Sequence, residues 1–248
     1  MRLLPTLAVA RPAAAAFAAM GILWGTFAAV LPDLKAMLGV NEARLGLLIL
    51  FTPIAAVAAM LLAPGIGARL GRVALPVSTL LMALAFMLPG QTSVVWLFPV
   101  AMMCCGAATG LTDVLMNARV ATLENERNLQ LMNLSHAAYS FGYAGGALGT
   151  GMLRSMDWPP GWVMATMALA ALGLACLTVE KDGTIHGLLR PKDGTAGHLG
   201  LIPVIGGGIV LIAFLTENAA ENWSALHIEK TLGGTPVQGA MGPATLAL

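Results

Sequence analysis

An aspartate and a histidine stand inside apolar stretches long enough to cross a lipid bilayer: Asp113 within residues 94–117 and His136 within residues 129–153. An ionisable group in hydrocarbon is costly, so it needs a partner, a water-filled cavity or a chemical task. Gly106, Gly110, Asp113 and Asn117 are spaced i, i+4, i+7, i+11 and share one helical face. Asn133, His136, Ser140 and Tyr143 follow a 3-4-3 spacing on the next stretch, which also holds Tyr139. A charged loop carrying Arg119, Glu124, Glu126 and Arg127 is expected between them. At the rise of a helix, Asp113 lies about 9 Å from Arg119 and His136 about 13 Å from Arg127. Comparable depth on consecutive antiparallel helices lets the two pair directly or through water. Two readings stand: a protonatable element, or a hydrogen-bonded pair that fixes two helices.

Other residues offer chemistry of the same kind. Glu217 and Glu221 are one helical turn apart near the end of an apolar stretch, with Asn218 and Asn222 beside them. Like charges on one face suit a shared proton or a cation, although they could simply border water. Trp24 sits mid-segment, away from the interfacial zone where tryptophan usually gathers, and could stack on a flat ligand or pack in a core. Gly142/Gly146 and Gly145/Gly149 are pairs four residues apart, suited, like Gly106/Gly110, to close helix packing. Cys104, Cys105 and Cys176 lie in apolar sequence without metal-ligand spacing, and read as inert buried thiols. His186, His198 and His227 have no ligand company. No nucleotide loop, nucleophile elbow, HExxH or CxxC pattern occurs, so no cofactor, no metal and no enzyme activity is expected.

The elements that must position these groups follow from composition. Of 248 residues, 58% are hydrophobic and only 10% charged, with a mean hydropathy of +0.81. A soluble domain carries about 25% charged residues; this chain is built for lipid. Its net charge of +1 excludes a nucleic-acid partner. Apolar stretches at 12–32, 45–68, 73–88, 94–117, 129–153, 160–179 and 199–216 read as seven spans. Pro89-Gly90-Gln91-Thr92-Ser93 is the turn that splits the third from the fourth. An eighth segment opens at Pro236 and reaches only Leu248. The expected organisation is a six-span bundle at 1–179, a polar linker at 180–198 and an incomplete second bundle at 199–248.

Lys and Arg counts set the orientation. With the N-terminus cytoplasmic, Arg2, Arg11, Arg69, Arg72, Arg119, Arg127, Lys181, Arg190 and Lys192 fall inside, and Lys35, Arg44, Arg154 and Lys230 fall outside. Residues 34–41 after the first span can be laid over residues 228–235 after the seventh, as in transporters made of two similar halves.

On these residues the chain resembles the major facilitator superfamily. The segment Leu23-Trp24-Gly25-Thr26-Phe27-Ala28-Ala29-Val30-Leu31-Pro32-Asp33-Leu34-Lys35 is similar to a bacterial branch near the fucose-permease-like sugar transporters. So are Asp113-Val-Leu-Met-Asn117-Ala, His136-Ala-Ala-Tyr139-Ser140 and Glu221-Asn222-Trp223-Ser224-Ala225. The superfamily's loop Gly-x-x-x-Asp-Arg-x-Gly-Arg survives as Arg69-Leu-Gly71-Arg72, with Pro64 and Ala68 in place of its Gly and Asp. The resemblance implies an all-α integral membrane protein, multi-pass in the inner (plasma) membrane. It further implies a transporter of a small polar or amphipathic solute by alternating access, with a proton as candidate coupling ion and membrane lipid as surroundings. The same reading expects a truncated transporter that needs its C-terminal half or a partner half. The competing classes are a non-transporting seven-span receptor or sensor, an inactive transporter fragment, and an intramembrane enzyme built on Asp113 and His136. Against the receptor stands the absence of a lysine in span seven for a retinal Schiff base.

Overall fold

The structure, a computed structural model, describes residues 3–189 and 200–248; Arg2, Arg190, Lys192 and His198, with the second part of the linker, lie outside the described residues. The described residues form nine α-helices: α1 (Leu3–Leu38), α2 (Glu42–Ile49), α3 (Phe51–Leu70), α4 (Ala74–Ala85), α5 (Phe98–Arg127), α6 (Met132–Ser155), α7 (Pro160–Leu177), α8 (Ile202–Lys230) and α9 (Pro236–Leu246). No strand occurs among them. In hydrocarbon this is the expected outcome, because only a helix or a closed barrel satisfies every backbone N–H and C=O internally.

Five helical stretches among the described residues are long and apolar enough to cross a membrane. One of them, Glu42–Gln91, is 50 residues long, about 75 Å if it were one helix and far more than a bilayer needs. It is divided at Gly71, where φ is +56°, a backbone conformation natural to glycine. α3 and α4 are therefore separate helices. α6 falls outside the five because its Asn133, Ser135, His136, Tyr139, Ser140 and Tyr143 dilute its apolar character. Those residues suit a helix surrounded by protein rather than by lipid.

Two boundaries differ from the sequence expectation. α1 continues through both Pro12 and Pro32, where the first span was expected to begin and end. Prolines are tolerated within membrane helices because neighbouring helices re-satisfy the freed carbonyl groups. The charged loop after Asn117 is not a loop. α5 runs on through Arg119, Glu124, Glu126 and Arg127, all good helix formers, and ends at Asn128 in the left-handed conformation with φ +50°. Glu124 then accepts from the backbone N–H groups of Leu131 (2.5 Å) and Met132 (2.9 Å), which would otherwise be unpaired at the start of α6.

Small residues bring the helices together, as expected where lipid removes the hydrophobic drive between them. α1 and α6 run parallel in reciprocal contact. A Cβ on Gly21 or Gly25 would overlap the carbonyl oxygens of Tyr139 and Tyr143, and a Cβ on Gly142 or Gly146 would overlap those of Ala18 and Ile22. α3 and α5 repeat the device, with Gly106 and Gly110 against the carbonyls of Thr52 and Ala56. Around these seams a core of Phe17, Phe27, Phe86, Phe98, Met82 and Met102 is fully buried. The outer surface is apolar: Leu61 is 79% exposed and Ile202 84%. In water such a surface would aggregate; in a bilayer it meets acyl chains.

Candidate functional site

α6 is the helix on which the polar residues converge. It packs against α1 along the glycine seam and meets α9, and α8 through Arg154, at its far end. On α5, Asn117 donates from Nδ2 to the Asp113 backbone oxygen (2.9 Å) and to Asp113 Oδ1 (3.2 Å). The back-bond ties the amide to its own helix and orients the carboxylate. His136 lies within electrostatic range of Asp113, but the two make no direct ion pair. The imidazole instead meets the edge of Phe17, ring centroids 5.0 Å apart. Direct pairing, one of the two geometries the sequence allows, is not the one adopted here.

Tyr139 joins the two halves of the cluster. The charges of Glu221, Glu217 and Asp113 all act on its hydroxyl, so one α6 side chain senses carboxylates on both α5 and α8. Tyr143, one turn further, is buried at 2% exposure with its hydroxyl facing the Glu221 carboxylate. Glu217 is exposed and Glu221 half-buried, so the α8 pair spans the edge of the cluster. On α8, Asn222 back-bonds to Asn218 O at 2.9 Å and Oδ1 at 3.3 Å, the same arrangement as Asn117 with Asp113. Three carboxylates, one imidazole and two phenols thus share a region reached by three helices. Such a set can hold and pass a proton, or orient the polar groups of a small solute.

The remaining candidates fall elsewhere. Trp24 sits in an aromatic cluster, edge-to-face with Phe86 at 5.1 Å and with Phe27 at 5.7 Å. Asn133 is exposed at the start of α6. Gly106, Gly110, Gly142 and Gly146 lie at helix contacts, and Gly149 meets the tip of Met167. Gly145 departs from the packing expectation, because nothing lies within 4 Å of where its Cβ would be. Arg69 and Arg72 have exposed side chains, and Gly71 makes the turn between them. The thiols also depart from expectation: Cys105 is buried, but Cys104 and Cys176 are exposed on the apolar surface. Among the described residues, no three His, Cys, Asp or Glu side chains gather to hold a metal ion.

Two ionic sites escaped the sequence reading. At one end of the bundle, Arg119, 3% exposed, makes a two-pronged bond to Glu180 at 2.9 Å on each prong. It also donates to the carbonyls of Thr184 (2.8 Å) and Asp182 (3.0 Å). This pins the start of the linker across the ends of α3, α4 and α5, where Ile185 packs with Ala63, Ala74, Leu111 and Leu115. Asp182, in the exposed strap, accepts from the Thr184 hydroxyl and N–H, which hold its carboxyl below the usual range. At the opposite end, Arg154 of α6 binds Asp33 of α1 and Glu229 of α8 together. A charge at the same end of three spans was the available signal. Pairing across 121 and 75 residues is not visible in a linear pattern.

No protein-family model matches the chain. It is 29% identical over 236 residues to an uncharacterized MFS-type transporter of Yersinia pestis, a match covering 94% of this chain and 61% of that protein. It is 26% identical over 249 residues to an uncharacterized transporter of Sinorhizobium fredii, covering 94% of this chain and 62% of that one. The chain therefore spans 61–62% of the length of these curated relatives. The name of the Yersinia protein carries the superfamily and not a branch of it, and that of the Sinorhizobium protein says only that it is a transporter. With an all-α bundle of membrane-length helices and relatives matched along nearly its whole length, the chain is similar to an MFS-type transporter.

Proposed function

We propose that this protein moves a small polar or amphipathic solute across the inner (plasma) membrane by alternating access, with a proton as the coupling ion. The observation that carries the reading is the placement of Tyr139. It stands on α6 within electrostatic reach of Asp113 on α5 and of Glu217 and Glu221 on α8. In transporters built from two similar halves, solute and ion sites lie near the midplane between those halves. Here α5 and α6 belong to the first bundle and α8 opens the second. A protonation change at Asp113, His136, Glu217 or Glu221 would alter the attraction between the two and so bias their relative position.

The N-terminus is cytoplasmic in this reading. The Arg119 end then faces the cytoplasm and the Arg154 end faces outward, in line with the lysine and arginine distribution. The first bundle spans residues 1–179, and residues 180–198 link it to the second. Support also comes from the relatives, both named as transporters.

The test is uptake by proteoliposomes that contain the full native gene product, challenged with a panel of labelled sugars, amines and organic acids. Accumulation of at least one solute, enhanced by an inward proton gradient, is expected. Solute binding without any flux would leave a receptor as the better reading.

A further inference from the structure

The turn between α6 and α7 breaks two local rules at one residue. Asp157 has a φ of +59°, in the left-handed region where glycine is the usual occupant. It also sets a carboxylate just beyond the C-terminal end of α6, the negative end of the helix dipole. The arginine of the preceding turn offers it no charge to pair with, because Arg154 is committed to Asp33, Glu229 and the carbonyl of Ala29. Among the described residues the exposed Asp157 side chain makes no ion pair. A glycine would relieve the backbone and the dipole together, so the fold of the turn does not account for the carboxylate.

Asp157 lines a surface pocket of about 240 Å³ together with Trp158, Pro159 and Trp162. Two indoles and a carboxylate around one opening are the groups that receive an ammonium ion: the ring faces attract it through their quadrupole and the carboxylate through its charge. No lysine or arginine lines the pocket, so nothing there attracts an anion. Beyond the pocket, α7 continues as an exposed apolar face. Trp162, Leu169, Gly173 and Cys176 are spaced i, i+7, i+11, i+14, and all four are exposed. Nothing lies within 4 Å of where a Cβ on Gly173 would be, so no other helix covers this face. At the rise of a helix the stripe is about 21 Å long, more than the roughly 15 Å depth of one leaflet's hydrocarbon.

We infer that the α6–α7 turn is a binding site for a zwitterionic phospholipid, with its ammonium headgroup between Asp157, Trp158 and Trp162 and an acyl chain along the exposed face of α7. Tryptophan gathers at the membrane–water interface, which is the depth a headgroup occupies. An interfacial tryptophan belt needs only the indoles and leaves Asp157 without a task. A free amine would fill the pocket and leave the apolar stripe unused, whereas a lipid uses both at once. The site needs a bilayer but neither transport nor a coupling ion, so it stands or falls separately from the proposed function.

The experiment is native mass spectrometry of the native-length protein, released from detergent that holds equal amounts of phosphatidylethanolamine and phosphatidylglycerol with identical acyl chains. The wild type is expected to retain phosphatidylethanolamine over phosphatidylglycerol by about fivefold or more, the combined scale of an exposed cation–π contact and an exposed ion pair. Asp157→Asn keeps a side chain that tolerates the left-handed backbone, and Trp162→Leu keeps the surface apolar; each is expected to bring the ratio down toward one. Trp96→Leu, at another exposed tryptophan outside the pocket, is expected to leave the ratio unchanged. Equal retention of the two lipids by the wild type, or a preference that survives Asp157→Asn, would overturn the site. So would an equal loss in Trp96→Leu, which would mark a general effect of interfacial tryptophan. Soluble ethanolamine at the same concentration is expected to leave no adduct, and an adduct as abundant as the lipid's would overturn the lipid as the occupant.

Discussion

Asp113 carries the heaviest chemical demand of any single side chain here, a carboxylate in a lipid-length helix with only Asn117 as direct partner. Asp113→Asn keeps its size and its bond to Asn117 but removes the titratable oxygen. Proton-driven solute uptake is expected to fall to roughly a tenth of wild type or less, a loss of about 1.4 kcal/mol in transition-state stabilisation. Yield and melting behaviour should be unaffected. Tyr143→Phe keeps the buried ring and removes the hydroxyl facing Glu221. It should weaken apparent solute affinity severalfold while changing stability by about 1 kcal/mol or less, the net worth of one hydrogen bond, as read by uptake kinetics beside thermal unfolding. Helical spacing sufficed to group Asp113 with Asn117 and His136 with Tyr139, because each set lies on one helix. The partners of Tyr139 on α8 and of Arg154 on α1 and α8 were hidden, since long-range charge contacts leave no local period. Of the two readings open for Trp24, ligand stacking or core packing, its contacts with Phe27 and Phe86 fit the packing one.

Among the elements, α6 is the most constrained. Its glycines allow α1 to approach until backbone meets backbone, and that approach fixes the depth of His136, Tyr139 and Tyr143. Gly146→Ala should cost about 1–3 kcal/mol, the usual penalty of overpacking, and shift the polar face away from α1. Gly145→Ala, one residue earlier and facing open space, should be neutral or stabilising by up to about 1 kcal/mol through helix propensity. Thermal unfolding in detergent compares the two directly; equal destabilisation would remove the close-packing role assigned to Gly146. The seam was half legible. Gly142 and Gly146 stood out, but the matching pair Gly21 and Gly25 did not, although its four-residue spacing was there to be read. α5 teaches a different lesson: a charge-rich ending suggests a loop, but helix propensity and the Asn128 terminator extend the helix by ten residues beyond Asn117.

For the molecule as a whole, the two ends differ in what they tie. The Arg119 clamp ties α5 to the strap that follows α7. Arg119→Ala would leave Glu180 uncompensated at a site where its side chain is 17% exposed, at a cost of about 3–5 kcal/mol if the site stays dry. Hydrogen exchange across residues 180–188 should rise sharply while α1 and α6 remain protected. The Arg154 triad, by contrast, ties α6 to α1 and α8, and between the ends lies the polar cluster. The all-α class and the apolar outer surface were legible from composition, because hydrophobicity alone dictates them. How the bundles meet was not, because that depends on a few small residues and charges brought together from distant sequence.

The coupling role of the cluster is tested most directly by the lumenal pH of proteoliposomes, followed as an identified solute is added outside. Wild-type protein is predicted to acidify or alkalinise the lumen in step with solute entry, and Asp113→Asn to abolish the pH change. Solute entry with no pH change in the wild type, or an undiminished pH change in Asp113→Asn, would contradict it.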